Sequence, residues 1–487
     1  MRLISTIVFI AVLLAAIMCG ACASDWATSV AEGLTFNLDP NVPYNDAGAA
    51  LGRPTTLIQD AGYWPIAPGS VFHASMVYAP YNLSPDGQPL VATVLAGGQI
   101  TVEFDPPIYD DPENWDGKDL IVFGNSMFTS IGTVFPATNM EEMNISSDGQ
   151  WEQATVSVSQ YENGDWYTFA SPYADDFAPT QASAWDWIEN NWADDLDYTK
   201  PVPTDCTKAD FGEKSVAQGI DMYKGSAGGT ALDISSLPLP TDESGRKWIR
   251  YVKITGDSVE LDAVTRVSHK ISPISVGAAK ELPDAAHVIL KDVVISAGTY
   301  AVGRFCYAQD STTLAGIRVY GRVLDTGSRV TIYGNMTTVN GERAINAVAI
   351  DPPQGADQMP SGNVKVVGMS NRSITSGLGA TGMPVKTWGT VEEIDDVSKS
   401  FIIDDGSGVD LKCMAPRVRP ASSDPANPTN PDWGTVVDPE FTPPSRDSFV
   451  LVTGIISSET SGQDSVPILQ LRSVDDLDVI RSGAQAN

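Results

Sequence analysis

Cysteine, histidine and positive charge are all scarce in this chain, and each shortage excludes a class of activity. Its 487 residues include five cysteines and three histidines. Cys19 and Cys22 lie in an apolar leader, while Cys206, Cys306 and Cys413 are widely separated. That spacing makes neither a disulfide framework nor the CxxC pairs of a zinc site, and three buried thiols are expected instead. His73, His269 and His287 form no HExxH motif, and no GxSxG nucleophile elbow occurs. Lys and Arg total 30 against 61 Asp and Glu, a net charge of -31. A binder of nucleic-acid backbone needs a positive footprint, so no nucleic-acid partner is expected. Beyond the leader no run of 18 apolar residues occurs, and no membrane span is expected there.

What the chain does have is apolar content with many turns. Hydrophobic residues make up 42%, charged residues 19%, and there are 42 Gly and 33 Pro. An acidic chain this apolar is expected to fold, and its glycine and proline favour short strands over helical bundles. Met1-Arg2, the apolar stretch from Ile4 to Met18 and Ala21-Cys22-Ala23 before Ser24 have the layout of a secretory signal peptide over residues 1–23. The expected location is therefore secreted or at the cell surface. Lipidation of Cys22 is disfavoured because Cys19 stands where a lipobox carries Leu. The sequons at Asn82, Asn144, Asn335 and Asn371 carry no weight without a known host.

Charge divides the remainder. Residues 24–282 hold 13 basic and 37 acidic groups, net -24, and residues 283–487 hold 16 and 24, net -8. This change near Pro283 marks a boundary between an acidic domain over 24–282 and two smaller ones over 283–360 and 361–487. The last contains a proline-rich loop at 415–445. Gln99-Ile100-Thr101-Val102-Glu103-Phe104 and Ile249-Arg250-Tyr251-Val252-Lys253-Ile254 alternate with period two, and Leu120-Ile121-Val122-Phe123 is a short buried-type run. An all-β antiparallel sandwich of jelly-roll type with an elaborated loop insertion is the expectation for the first domain. Only 182–196 has a helical look, and its three tryptophans suit a surface insertion equally well.

In the second half, a weak repeat reads strand, acidic turn, strand, glycine-marked strand. One copy runs from Phe305 through Gln309-Asp310 to Gly334, and the other from Phe401 through Asp404-Asp405-Gly406 to Gly454. The order fits small Greek-key barrels in tandem. With Trp388-Gly389-Thr390-Val391 as a first strand, this half resembles the OB-fold modules of secreted bacterial proteins. The segments at 97–104, 118–125, 145–151, 228–233 and 261–264 together resemble an uncharacterised "cell surface protein" sandwich family of exported bacterial proteins. That resemblance implies a discoidin-like binding module without established catalytic residues. The family has an aromatic-Asp-Leu-Asp run near its end; here the run is Val259-Glu260-Leu261-Asp262, which displaces one carboxylate.

Two features carry chemistry. Residues 110–119 hold four aspartates and a glutamate in a Gly- and Pro-containing turn, followed by Asn125. Hard oxygen ligands there suit calcium, with Asp119, Asn125, Glu260 and Asp262 as the expected set where strand ends meet; a solvated acidic rim is the alternative. The second feature is Trp185-Asp186-Trp187-Ile188-Glu189-Asn190-Asn191-Trp192. Indole faces flanked by carboxylate and amide groups are what sugar stacking needs, although the rings also suit packing of an insertion. Support for catalysis is thin: Glu141 and Glu142 are adjacent and would point to opposite faces of a strand. Gly225-Ser226-Ala227-Gly228-Gly229 lacks the ending of a phosphate loop. The reading is an exported, non-enzymatic surface protein. Its sandwich binds a glycan or another surface component, with structural calcium and with the barrels as support. A purely structural assembly protein and a secreted glycan-degrading enzyme are the alternatives.

Overall fold

A computed structural model describes residues 24–59, 69–132, 143–193, 196–268, 270–310, 314–351, 362–376, 378–419, 435–461 and 464–483. The leader 1–23, Glu141, Glu142, His269 and most of the proline-rich segment lie outside the described residues. The protein is all-β, a sandwich followed by two barrels. No helix among the described residues is long and apolar enough to cross a membrane.

The sandwich is organised by one long strand, Ala92–Tyr109. Its first part pairs with Val259–Arg266, and its later part with Trp248–Thr255. The change of partner comes at Gly97 and Gly98. Gly97 has a φ of +76°, and a Cβ on Gly98 would stand 2.4 Å from the Asn37 carbonyl, so a side chain at either position opposes the bend. The sheet thereby folds over itself. Val102 and Phe104 of the long strand pack with Val156, Val158, Val252 and Ile254 against Val122, Leu232 and Val264 of the other layer.

The strand Leu120–Gly124 is buried on both faces, which is why it reads as a continuous apolar run. Its second face, with Ile121 and Phe123, packs against an added layer containing Met76, Phe128, Ile145, Phe211, Ile220 and Tyr223. This layer is supplied mainly by residues 125–227. Its helix, Val216–Tyr223, starts at a reciprocal capping box between Ser215 and Gln218. The stretch with a helical look in the sequence is instead a hairpin, Ala184–Asp186 against Asn191–Ala193, with Trp185 directly opposite Trp192. The cross-strand indole pair and the Asp186 carboxylate, which accepts from the N–H groups of Ile188 and Glu189, favour the hairpin over a helix.

The first barrel comprises His287–Ala297, Cys306–Gln309, Gly316–Tyr320, Arg329–Val339 and Glu342–Asp351. In the ring each strand neighbours the next in the order first, second, third, fifth, fourth, and the third and fifth run parallel. The second barrel repeats this order with Pro384–Asp395, Ser400–Asp404, Asp410–Met414, Phe449–Ser461 and Asp464–Gln470. Val276 and Ala279, on the short helix Val276–Lys280, are part of the first barrel's core, so that core draws on chain ahead of Pro283.

Candidate ligand cleft and carboxylate clusters

The hairpin carries its indoles to the joint between sandwich and first barrel. Trp185, Trp187 and Trp192 line a cavity of about 400 Å³ together with Asn144, Ser215, Gln218, Asp221, Arg322, Val348 and Ile350. The Trp185 and Trp192 ring centroids are 4.8 Å apart at 76°, and those of Trp185 and Trp187 6.5 Å apart at 75°. Trp185 Nε1 is buried without a hydrogen-bond partner.

The opposite wall is held by polar groups that span the joint. Arg322 donates to Asp221 Oδ2 at 2.6 Å, and the Ile350 N–H donates to Asp221 Oδ1 at 3.0 Å. The Trp187 N–H reaches Asn346 Oδ1 at 3.2 Å. Asp186, expected to face a ligand with the tryptophans, caps the hairpin turn and lines a second cavity on the other side of the hairpin, with Glu189, Asp284 and His287. The three indoles expected from the sequence are thus brought together, and the aspartate between them is turned away.

The four residues expected to share a calcium ion are distributed over separate places. Asp119, fully buried, groups with Asp110 and Asp233, their carboxylate oxygens lying within 4.8 Å of one another. It accepts the N–H groups of Asp111 at 3.0 Å and Ile234 at 2.9 Å. Glu260 groups with Glu152 and Asp175. Asn125 precedes Ser126, whose N–H donates to Asp175 Oδ1 at 2.9 Å. Asp262 belongs to neither group; it accepts the N–H and hydroxyl of Thr55. The physical reason is the sheet. Asp119 stands at the entrance of Leu120–Gly124, whereas Glu260 lies on the antiparallel neighbour opposite Thr93 of the long strand.

Burial pushes the carboxyls of Asp119 and Asp262 up to about 7, against the hydrogen bonds each accepts. Burial, reinforced by the charge of Glu152, likewise pushes Glu260 up to about 7. Asp175 is raised well above the ordinary range, first by burial and also by the charges of Glu260 and Glu152.

Sequence reasoning missed Asp221, Arg322 and Gln218 in the cleft, and Asp233, Glu152 and Asp175 in the clusters. The Ser215 to Gln218 capping box is a legible signal for the helix that bears Gln218 and Asp221. Nothing local marks the remaining residues, which meet through tertiary pairing.

No family model and no curated protein matches the chain. Among solved structures, it is similar to a murine DNA-binding protein bound with double-stranded DNA, at 9% identity and a TM-score of 0.21, over 41% of this chain and 100% of that one. A replication protein A heterotrimer bound to single-stranded DNA matches at 10% identity and a TM-score of 0.16, over 44% of this chain and 52% of that one. At these scores neither likeness carries a functional argument.

Proposed function

We propose that this is an exported, non-enzymatic surface protein whose sandwich and first barrel together hold a carbohydrate in the cleft between them. The observation that carries this reading is the convergence of Trp185, Trp187 and Trp192 on one cavity that also presents Asn144, Gln218 and the Asp221–Arg322 pair. Indoles offer flat faces to the C–H surface of a pyranose, and planar amide, carboxylate and guanidinium groups match its hydroxyls. About 400 Å³ is within the range of small-ligand sites.

The second barrel acts as support in this reading. The side chains of Tyr307 and Arg318, on the second and third strands of the first barrel, are buried against the second barrel through Ser457. An OB-fold that reads single strands needs that type of surface open, aromatic and basic. Nucleic acid is therefore not the proposed partner.

The test is a glycan array followed by calorimetric titration of the purified protein. Binding is expected for wild type. It should be lost in Ala217→Trp, which fills the cleft from the helix without removing a packed side chain. Weakening by about 1 to 3 kcal/mol is expected for Trp187→Ala, the loss of one stacked ring. If no glycan binds to protein with all three indoles intact, the carbohydrate reading fails. Release of reducing ends from a polysaccharide panel would replace it with an enzymatic one.

A further inference from the structure

We infer that, on the carbohydrate reading, the cleft takes an uncharged saccharide and rejects acidic ones, and that the Asp221–Arg322 pair sets this preference. Among the described residues that line the cavity, Asp221 and Arg322 are the only charged ones. Each is committed to the other, with Arg322 Nη1 donating to Asp221 Oδ2 at 2.6 Å. Backbone groups of the barrel fix both: Arg322 Nη2 donates to the Ile350 carbonyl at 2.5 Å, and the Ile350 N–H donates to Asp221 Oδ1 at 3.0 Å. Arg322 Nε is buried and not open to a ligand. The cavity walls therefore carry no net charge.

An acidic saccharide seeking Arg322 has to displace the Asp221 carboxylate or share the guanidinium with it. Displacement breaks a charge-assisted pair, and sharing sets two negative groups against each other. Either cost falls on the acidic ligand alone, which is how a repulsive element produces selectivity. The long-range field acts in the same direction, because residues 24–282 carry a net charge of -24 and repel anions before contact. A protonated amine gains nothing from Asp221 in return, since the Arg322 guanidinium already neutralises that carboxylate.

The polar groups that face a ligand are neutral amides. Asn144 is exposed on its strand and offers both a donor and an acceptor. Gln218 Oε1 accepts the Ser215 N–H at 2.9 Å, which leaves its amide nitrogen as a donor. Hydroxyl groups both donate and accept, so they satisfy such a set, whereas a carboxylate answers only the donors. The three indoles and the apolar stretch Ala347, Val348, Ala349 and Ile350 supply the rest of the wall. Flat apolar faces with a few uncharged hydrogen-bonding groups suit a neutral pyranose.

The experiment is a glycan array of matched sets, each hexose backbone in neutral, uronic and amino form, read at ionic strengths of about 0.15 M and about 0.5 M. Titration calorimetry follows on the tightest member and its matched partners. The neutral form is expected to bind best, with the uronic form about tenfold weaker or more at both ionic strengths. Asp221→Asn keeps an acceptor for the Ile350 N–H and frees the charge of Arg322, so the uronic form should gain about tenfold in this variant. Asn144→Lys brings a new cation to the cleft from an exposed strand position and gives the independent answer should Asp221→Asn not fold. It too should narrow the gap. The preference is overturned if the uronic or amino form binds as tightly as the neutral one, or if the gap closes at the higher ionic strength. It is equally overturned if both variants fold and neither narrows the gap. If no form binds at all, the carbohydrate reading itself fails and takes the preference with it, a result distinct from a reversed order of binding.

Discussion

The protein has two joints, and they are built on opposite terms. Between the barrels, Arg318 and Glu342 form an ion pair whose side chains are 5% and 1% exposed. Tyr307 and Ser457 close around it, with the guanidinium 3.0 Å from Ser457 Oγ and the Tyr307 hydroxyl 2.9 Å from the same atom. Beside it Gly316 and Gly382 meet backbone to backbone: a Cβ on Gly316 would lie 1.9 Å from the Gly382 carbonyl. Between sandwich and first barrel the corresponding pair, Asp221 and Arg322, is 24% and 31% exposed and borders the tryptophan cavity. A joint sealed by a desolvated ion pair and bare backbone fixes geometry. One that leaves aromatic walls and half-wet polar groups has room for a ligand.

Truncating the sealed joint should therefore do the most damage. Glu342→Ala leaves the Arg318 charge buried without its partner, and a loss of about 3 to 5 kcal/mol is expected in chemical denaturation. Replacing both residues by apolar ones, Arg318→Met with Glu342→Leu, should restore most of that loss, because the pair itself contributes little beyond the cost of breaking it. If the single variant is as stable as wild type, the barrels are not held by this network and the contrast between the joints disappears.

At the open joint the same kind of change should cost far less. Asp221→Ala removes a partly solvated pair and one backbone contact, and a loss of about 1 kcal/mol or less is expected. Its main effect should be on ligand: glycan affinity falls while the melting temperature scarcely moves. A large stability loss from Asp221→Ala would make the two joints alike and remove the argument for a cleft.

Much of this architecture was legible beforehand, and what was not has a common cause. Alternation in 99–104 and 249–254, and the doubly buried run 120–123, are local signals that the sheet preserves. The acidic turn at Asp404-Asp405-Gly406 marks the second barrel in the same way, with Gly406 at a φ of +82°. The tryptophan hairpin was half legible: its aromatics mark an insertion, but periodicity does not separate a ten-residue hairpin from a short helix. The expected calcium ligands do not converge because Asp119, Glu260 and Asp262 are near in the sheet yet face different neighbours, and only the register decides which. Asp119 and Asp233, 114 positions apart, meet through the pairing of Leu120–Gly124 with Thr230–Leu232, which no local pattern announces.

The finest difference between the two halves is in pH dependence. Asp119, Glu260 and Asp262, raised by burial to about 7, all lie in the sandwich. A carboxyl whose folded value exceeds its unfolded value binds more protons when folded, so the folded state gains as pH falls through 7 and the gain is complete near the unfolded value of about 4. Metal-free protein should therefore show the melting of its sandwich rise as pH is lowered from 8 to 5. Asp262→Asn tests the assignment without disturbing either acidic cluster: a neutral amide retains an acceptor for Thr55 and has no proton to gain. The slope between pH 8 and 5 should become shallower in this variant, and the melt at pH 8 should move up if the retained acceptor suffices. An unchanged slope would mean that Asp262 is protonated across the whole range and contributes nothing to the pH response of the sandwich.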